Sequence, residues 1–541
     1  MDSAIISPRQ CFIGRLSDDV LWAIFSLNAD MDVRSLSHRR LTRNLPFTSS
    51  LDTTINSSQV CQSWRRTILR SPSIWGRVLR VDRVNQLGKI WGEEIIRRAA
   101  NAALCAYGDI WGARANDVAF LETLFRGHWE RIQRVDLAFG DVAFYYHLES
   151  ELWKVLSRPA PRLESFSLTV MGAHTRGPPL PENGLFAGDA PSLKEVSTVN
   201  TLFAMNTPQK SICDLKGLLH LRLDSSEHEV VDILDAIKEL PHLEELVLGS
   251  MACSDPSLLP DREDSICLPH LTKLYFTDSL RAAIPVALAI LPSYRCALLW
   301  HSISEPSISD QKSINAICRI LTRYYGSYFA ATSTSANAIS LVINHEDFRF
   351  SCTTMDDLPS SYRPLNIAEL SSPSDFSLDF SCHFPQGAIS SFLSHLSEAD
   401  SSKITYLSFE VSFYSVLNKN RLGLSAFLKS LTSVETLEAW GKSLTILQNL
   451  KDPILPSLRT WRLPHILTTV DAVCAFLDSR RRLNHPISVL KILFERPMGD
   501  WRRLEEFVDL RVVWKVDSVE KMYICGNGNA NKLWFWYVIV V

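Results

Sequence analysis

At 541 residues the chain exceeds the size at which one hydrophobic core keeps growing, so two or more units or an extended repeat array are expected. A hydrophobic fraction of 46% excludes a disordered chain, and a net charge of −3 at pH 7 argues against a polyelectrolyte partner such as bulk nucleic acid. Twelve cysteines without a Cys-x-x-Cys pair or a Cys/His cluster at zinc spacing point to reduced, buried thiols, as in cytoplasmic or nuclear proteins, and to no metal.

Residues 1–12 read as an N-terminal tail. Met1-Asp2-Ser3 opens no signal peptide, and no apolar run reaches the ~18–20 residues of a bilayer span, so no membrane is expected. The first helix opens at Ser17, an N-cap residue, with Asp18 and Asp19 against the positive end of the helix dipole. Val20, Ile24 and Leu27, with Leu21 beside them, form its apolar stripe. A second helix follows Asn56-Ser57-Ser58, sets Val60, Trp64 and Ile68 on one face, and stops at Ser71-Pro72. Trp64 reads as core and Ile74-Trp75 as an apolar plug. Two such helices cannot bury their own stripes, and the leftover face implies a partner.

Leu16-Ser17-Asp18-Asp19-Val20-Leu21…Ile24-Phe25, then Val60-Cys61…Trp64-Arg65, then Pro72…Ile74-Trp75, resembles an F-box of the fungal type over residues 13–80. Ser17 stands where the family usually has proline, and the stretch from Asn28 to Ile55 is longer than the usual connection. The resemblance implies a three-helix module that docks on a Skp-type adaptor of a cullin-based ubiquitin ligase. It assigns adaptor contact to Leu16, Ser17, Val20, Leu21, Ile24 and Val60. The cations Arg34, His38, Arg39, Arg40 and Arg43 read as a solvated loop inside the module rather than a nucleic-acid patch.

Residues 81–130 read as a helical linker, with helices around Trp91–Ala103 and Phe120–Trp129. From 131 to 510 a pattern recurs. Ile132-x-x-Val135-x-Leu137 is echoed from Leu163, Leu193, Leu218, Leu243 and Leu271, and again from Ile404, Val434, Leu458 and Ile487, several preceded by proline. In L-x-x-L-x-L the last two apolar residues enter a core from one side of a strand while their neighbours face out. A strand and a helix repeated at this spacing predict a divergent leucine-rich-repeat-like α/β solenoid whose units bury their apolar faces against one another. Between Phe276 and Ile404, Ser313–Arg323 reads as a helix, 339–343 and 376–380 as strands, and 302–310 and 351–374 as loops. Residues 511–541 read as a C-terminal tail, with Gly526–Asn531 as a linker to an apolar run.

The fold class expected is therefore α/β: a helical F-box followed by the solenoid. The outward strand neighbours are the candidates for target contact: His220, Arg222, Asp224, Glu245, Lys273, Tyr275, Tyr406, Trp440 and Arg462. Nothing argues for an enzyme or a cofactor. Gly526-x-Gly528-x-x-x-Lys532 lacks phosphate-loop spacing, Asp261–Asp264 reads as an acidic loop, and the fourteen histidines are scattered. The function expected is a substrate receptor that binds adaptor and cullin scaffold at one end and a target protein of unknown identity at the other. The alternative is a repeat scaffold acting without a ligase.

Overall fold

The computed structural model describes residues 16–30, 49–110, 115–140, 154–171, 185–200, 215–224, 228–253, 265–305, 310–330, 336–344, 347–354, 376–382, 384–385, 387–411, 414–450, 453–464, 468–493, 499–516 and 519–535. The architecture is mixed α/β with mostly parallel sheet, in two compact units, Met1–Leu243 and Glu244–Val541.

The first unit opens with four short helices: α1 (Asp18–Ala29), α2 (Ser50–Ser57), α3 (Gln62–Leu69) and α4 (Pro72–Arg77). Helix α2 lies in the stretch expected to be loop. Ser49 caps it by accepting from Asp52 N, and Leu51 and Thr54 are buried, so a polar-looking segment still anchors a helix. Helix α3 starts at Gln62, two residues later than the expected register, which leaves Val60 outside it. The cations at 34–43 lie outside the described residues.

Next come β1 (Leu79–Arg80), α5 (Val81–Leu87), α6 (Lys89–Ala99), β2 (Leu104–Ile110) and α7 (Ala115–His128). The expected helical linker thus contains a strand. Leu104, Cys105, Ala106 and Tyr107 are all buried, and a strand covered on both faces gives no alternating signal. A Cβ on Gly76 would fall 2.1 Å from Ala103 O, so α4 meets the residue before β2 at glycine distance. Strands β3 (Ile132–Phe139), β4 (Ser165–Val170), β5 (Glu195–Val199) and β6 (His220–Asp224) continue a fully parallel sheet in the order β1-β2-β3-β4-β5-β6. Helix α8 (Val230–Lys238) follows it in the chain.

The second unit carries β7 (Glu245–Gly249), β8 (Ile266–Cys267), β9 (Lys273–Thr277), α9 (Leu280–Ala289), β10 (Ile290–Leu291), β11 (Ala297–Glu305) and α10 (Gln311–Ala330). Then follow β12 (Ala338–Ile343), β13 (Asp347–Thr353), β14 (Phe376–Cys382), α11 (Ala388–Leu396), β15 (Tyr406–Val411), α12 (Tyr414–Ser430), β16 (Thr436–Ala439) and α13 (Lys442–Asn449). The chain continues through β17 (Thr460–Leu463), α14 (Val470–Arg482), β18 (Val489–Ile492), β19 (Gly499–Asp500), β20 (Arg511–Val516), β21 (Val519–Ile524) and β22 (Trp534–Phe535).

Register places the main sheet in the order β7-β9-β11-β14-β13-β12-β15-β16-β17-β18-β20-β21, with only β13 and β21 antiparallel to their neighbours. Strands 339–343 and 376–380 form as expected, but the meander enters in reverse, β14 beside β11 and β12 beside β15. Parts of both expected loops are strand, because β11 runs to Glu305 and β13 covers 347–353. The expected tail pairs as β20 and β21, and β22 pairs with β19.

Every L-x-x-L-x-L segment places a strand on its second half. The first apolar residue is buried one turn earlier, where its N–H closes onto the carbonyl three residues back: Leu163 to Ala160, Leu193 to Ala190, Leu243 to Leu240, Leu271 to Leu268 and Leu458 to Leu455. The prolines at 161, 191, 241, 269 and 456 occupy the second position of these turns, where a φ fixed near −65° fits.

Candidate functional site

Helix α1 is two-faced. Ser17 Oγ accepts from Val20 N at 3.4 Å, and the cap fixes which residues turn inward. Leu21, Phe25 and Ala29, spaced by one turn, are buried. Phe25 meets Trp64 edge to face at 5.1 Å. The opposite side shows Leu16, Val20, Ile24 and Leu27, which are 39%, 45%, 39% and 60% exposed, and Val60 after α2 is 63% exposed. Leu21, expected on the outward stripe, is instead buried with Phe25 and Ala29. Trp64 is half-buried rather than core, because α3 turns only Ile68 fully inward.

What holds this apolar row in place lies behind it. Ile74 and Trp75 are fully buried, Trp75 Nε1 donates to Ile68 O at 2.9 Å, and the Arg98 guanidinium sits 4.5 Å over the indole ring. Arg77 pairs with Asp30 at 3.0 Å, tying α4 to the end of α1. Arg83 pairs with Asp52 at 3.1 Å, tying α5 to α2. Burial works to raise the Asp52 pKa, but hydrogen bonds from Arg83 and Ser49 prevail and hold it below its ordinary value. Helices this short are marginal alone, so these ties and the plug define the surface.

The candidate target contacts fall in three local groups. In the first unit His220, Arg222 and Asp224 are half-buried on β6, with Arg222 and Asp224 4.0 Å apart. In the second, Lys273 Nζ lies 3.3 Å from Glu245 Oε1, and Tyr275 is half-buried two residues further along β9. Further along that sheet Tyr406, Glu438 and Arg462 meet. The Tyr406 hydroxyl donates to Glu438 Oε2 at 2.6 Å, Arg462 Nε lies 3.3 Å from the same oxygen, and the guanidinium stands 5.4 Å over the phenol ring. Tyr406 thus shares the outward face with Glu438 and Arg462 yet is buried by them, and burial followed by the Glu438 charge raises its pKa far above the ordinary phenol value. Trp440 is half-buried just past β16.

Several residues of these faces carry no leucine-repeat signal and were missed. His301 Nδ1 lies 3.2 Å from Asp379 Oδ2, and Arg349 Nε lies 3.1 Å from Asp379 Oδ1. Arg349 also reaches Asp347 at 3.3 Å. The signal for β13 was present: Phe348, Phe350 and Cys352 are fully buried and alternate with Asp347, Arg349 and Ser351. Among the described residues no group of three or more His, Cys, Asp or Glu is placed to hold a metal, and no helix is long and apolar enough to cross a membrane.

No family model matches the chain, and no curated protein does either.

Proposed function

We propose that the chain is the substrate receptor of a Skp–cullin–F-box type ubiquitin ligase. The observation that carries this reading is the exposed apolar row Leu16, Val20, Ile24 and Leu27, with Val60, opposite the side of α1 that buries Leu21, Phe25 and Ala29. Covering a leucine-sized side chain is worth roughly 1.5–3 kcal/mol, so a partner helix laid along this row gains most of what a specific interface needs. Polar strand faces downstream, where charges sit in exchangeable pairs, suit reversible contact with a target protein. The receptor then acts by proximity, raising the local concentration of target lysines near a charged conjugating enzyme.

The test uses the full chain carrying Val20→Lys and Ile24→Lys. Both side chains are exposed, so the melting temperature should hold while capture of a Skp-type adaptor falls by orders of magnitude, because two unpaired charges would be buried on docking. Undiminished capture by the double variant ends the proposal. An unmodified chain that captures no adaptor but retains a protein partner is instead a scaffold acting without a ligase. Leu21→Lys would not serve here, since it unfolds the helix it sits in.

A further inference from the structure

On the outward strand face of the second unit, charges are matched across the register. Glu245 stands opposite Lys273, Asp379 opposite both His301 and Arg349, and Glu438 opposite Arg462. The Lys273, Arg349 and Arg462 pairs put unlike charges directly across a rung, where they stabilise the sheet, and His301 joins them only when protonated. The pattern lapses at β18 and returns at Lys515, which stands opposite Glu520 on β20 and β21. Lys491 stands directly opposite Arg462 on one side and Val513 on the other. Arg511 stands opposite Val489 and Ile524. Both Lys491 and Arg511 are exposed, and neither has an anionic partner among the described residues. Like charges across a rung are destabilising, and adjacent strands lie only ~4.8 Å apart. The protein therefore keeps two cations that no anion faces across a rung.

Apolar side chains border these cations. Val513 lies between the two strands' charges, and Met522, its register partner on β21, is well exposed. We propose that this face of β17, β18, β20 and β21 binds an acidic segment of a partner protein, with carboxylates on Lys491 and Arg511 and an apolar side chain over Met522. A nucleic acid would call for a longer cationic track with stacking aromatics, and the chain's net charge of −3 opposes it at long range. The inference names a target chemistry for the strand face read above as target-binding, and it is independent of adaptor docking.

The test is fluorescence anisotropy on the full chain with a labelled peptide of alternating Glu and Leu. Its Gln/Leu counterpart and a single-stranded RNA serve as competing probes. The double variant K491E/R511E should weaken Glu/Leu binding by about tenfold or more, with affinity falling as salt rises. The pair R481E/R482E changes the same charge at exposed positions of α14 and should leave binding unaltered. Equal weakening by both pairs overturns the proposal, as does absence of peptide binding or equal binding of the Gln/Leu peptide. RNA bound more tightly than the peptide through Lys491 and Arg511 also overturns it, in favour of a nucleic-acid ligand. Adaptor capture by K491E/R511E should match the unmodified chain, so failure here and failure of the ligase reading appear in different assays.

Discussion

The helices at residues 18–77 and the strands of the two sheets treat apolar surface in opposite ways. Along the strands every repeat leucine is buried, and β6 and β17 turn half-buried polar and charged residues outward. Along α1 the outward row is itself apolar. The strands can hide one face because neighbouring strands and helices of the same unit cover it. Among the described residues nothing covers the outer side of α1, where Leu16, Val20, Ile24 and Leu27 are exposed. An exposed apolar row is the kind of surface a partner can cover, whereas a paired polar face is stable in water.

Trp75 and Trp64 break or sharpen this contrast most. Trp75 is sealed between Ile68 O and Arg98 behind the helices, so Trp75→Ala should cost about 3–5 kcal/mol, read as a loss of thermal stability. Trp64 makes one edge-to-face contact with Phe25 on a half-exposed flank, and Trp64→Ala should cost only ~1 kcal/mol. Equal costs would mean that the helices bury both sides alike and that the outward row is not a distinct surface.

A smaller effect separates the strand core from the outside through its thiols. Burial pushes Cys296 and Cys525 up to about 12 and Cys105 up to about 11. In the unfolded chain these thiols ionise near ~8.5, so above that pH the unfolded state has fewer bound protons than the folded one. Stability should therefore decline as pH rises from about 9 toward the folded values, and Cys296→Ala should flatten the decline in alkaline denaturation curves. Alkylation under native conditions should mark the exposed Cys61 and Cys267 and spare Cys296. Rapid labelling of Cys296 would show that the core around β11 opens.

The legibility of the chain followed how local each cause was. The repeat strands were readable because their apolar spacing and the turn before them lie within a few residues of one another. Reading the cap at Ser17 was equally local. The role of Leu21 was not, since Leu21 and Val20 are both apolar neighbours and only the placement of Phe25 and Trp64 decides which faces inward. Strand β2 escaped because it is covered on both faces, and the reversed entry of β12–β14 escaped because strand order is a property of long-range pairing. Charge matching across the register needs that order too, which is why Glu438 and Asp379 were missed while Arg462 was named.

The smallest predicted effect bears on whether the uncompensated cations are kept for a partner. Lys491 faces Arg462 across the rung, and Arg462 already shares Glu438 on its other side. Replacing Lys491 with glutamate converts a like-charge rung into an unlike one, like the neighbouring rung of Glu438 and Arg462. Cross-strand pairs of this kind contribute roughly 0.2–1 kcal/mol, and exposed ones fall at the low end, so Lys491→Glu should stabilise the protein by a few tenths of a kcal/mol. The gain should shrink as salt rises, since the repulsion it removes is screened. Chemical denaturation of the two proteins at low and high ionic strength measures both quantities. A variant more stable than the parent yet weaker toward acidic peptide would show that the parent sequence retains a destabilising charge for binding. Should Lys491→Glu instead lose stability at low salt, Lys491 has a native anionic partner, and the strand face at β18 is as self-sufficient as the rest.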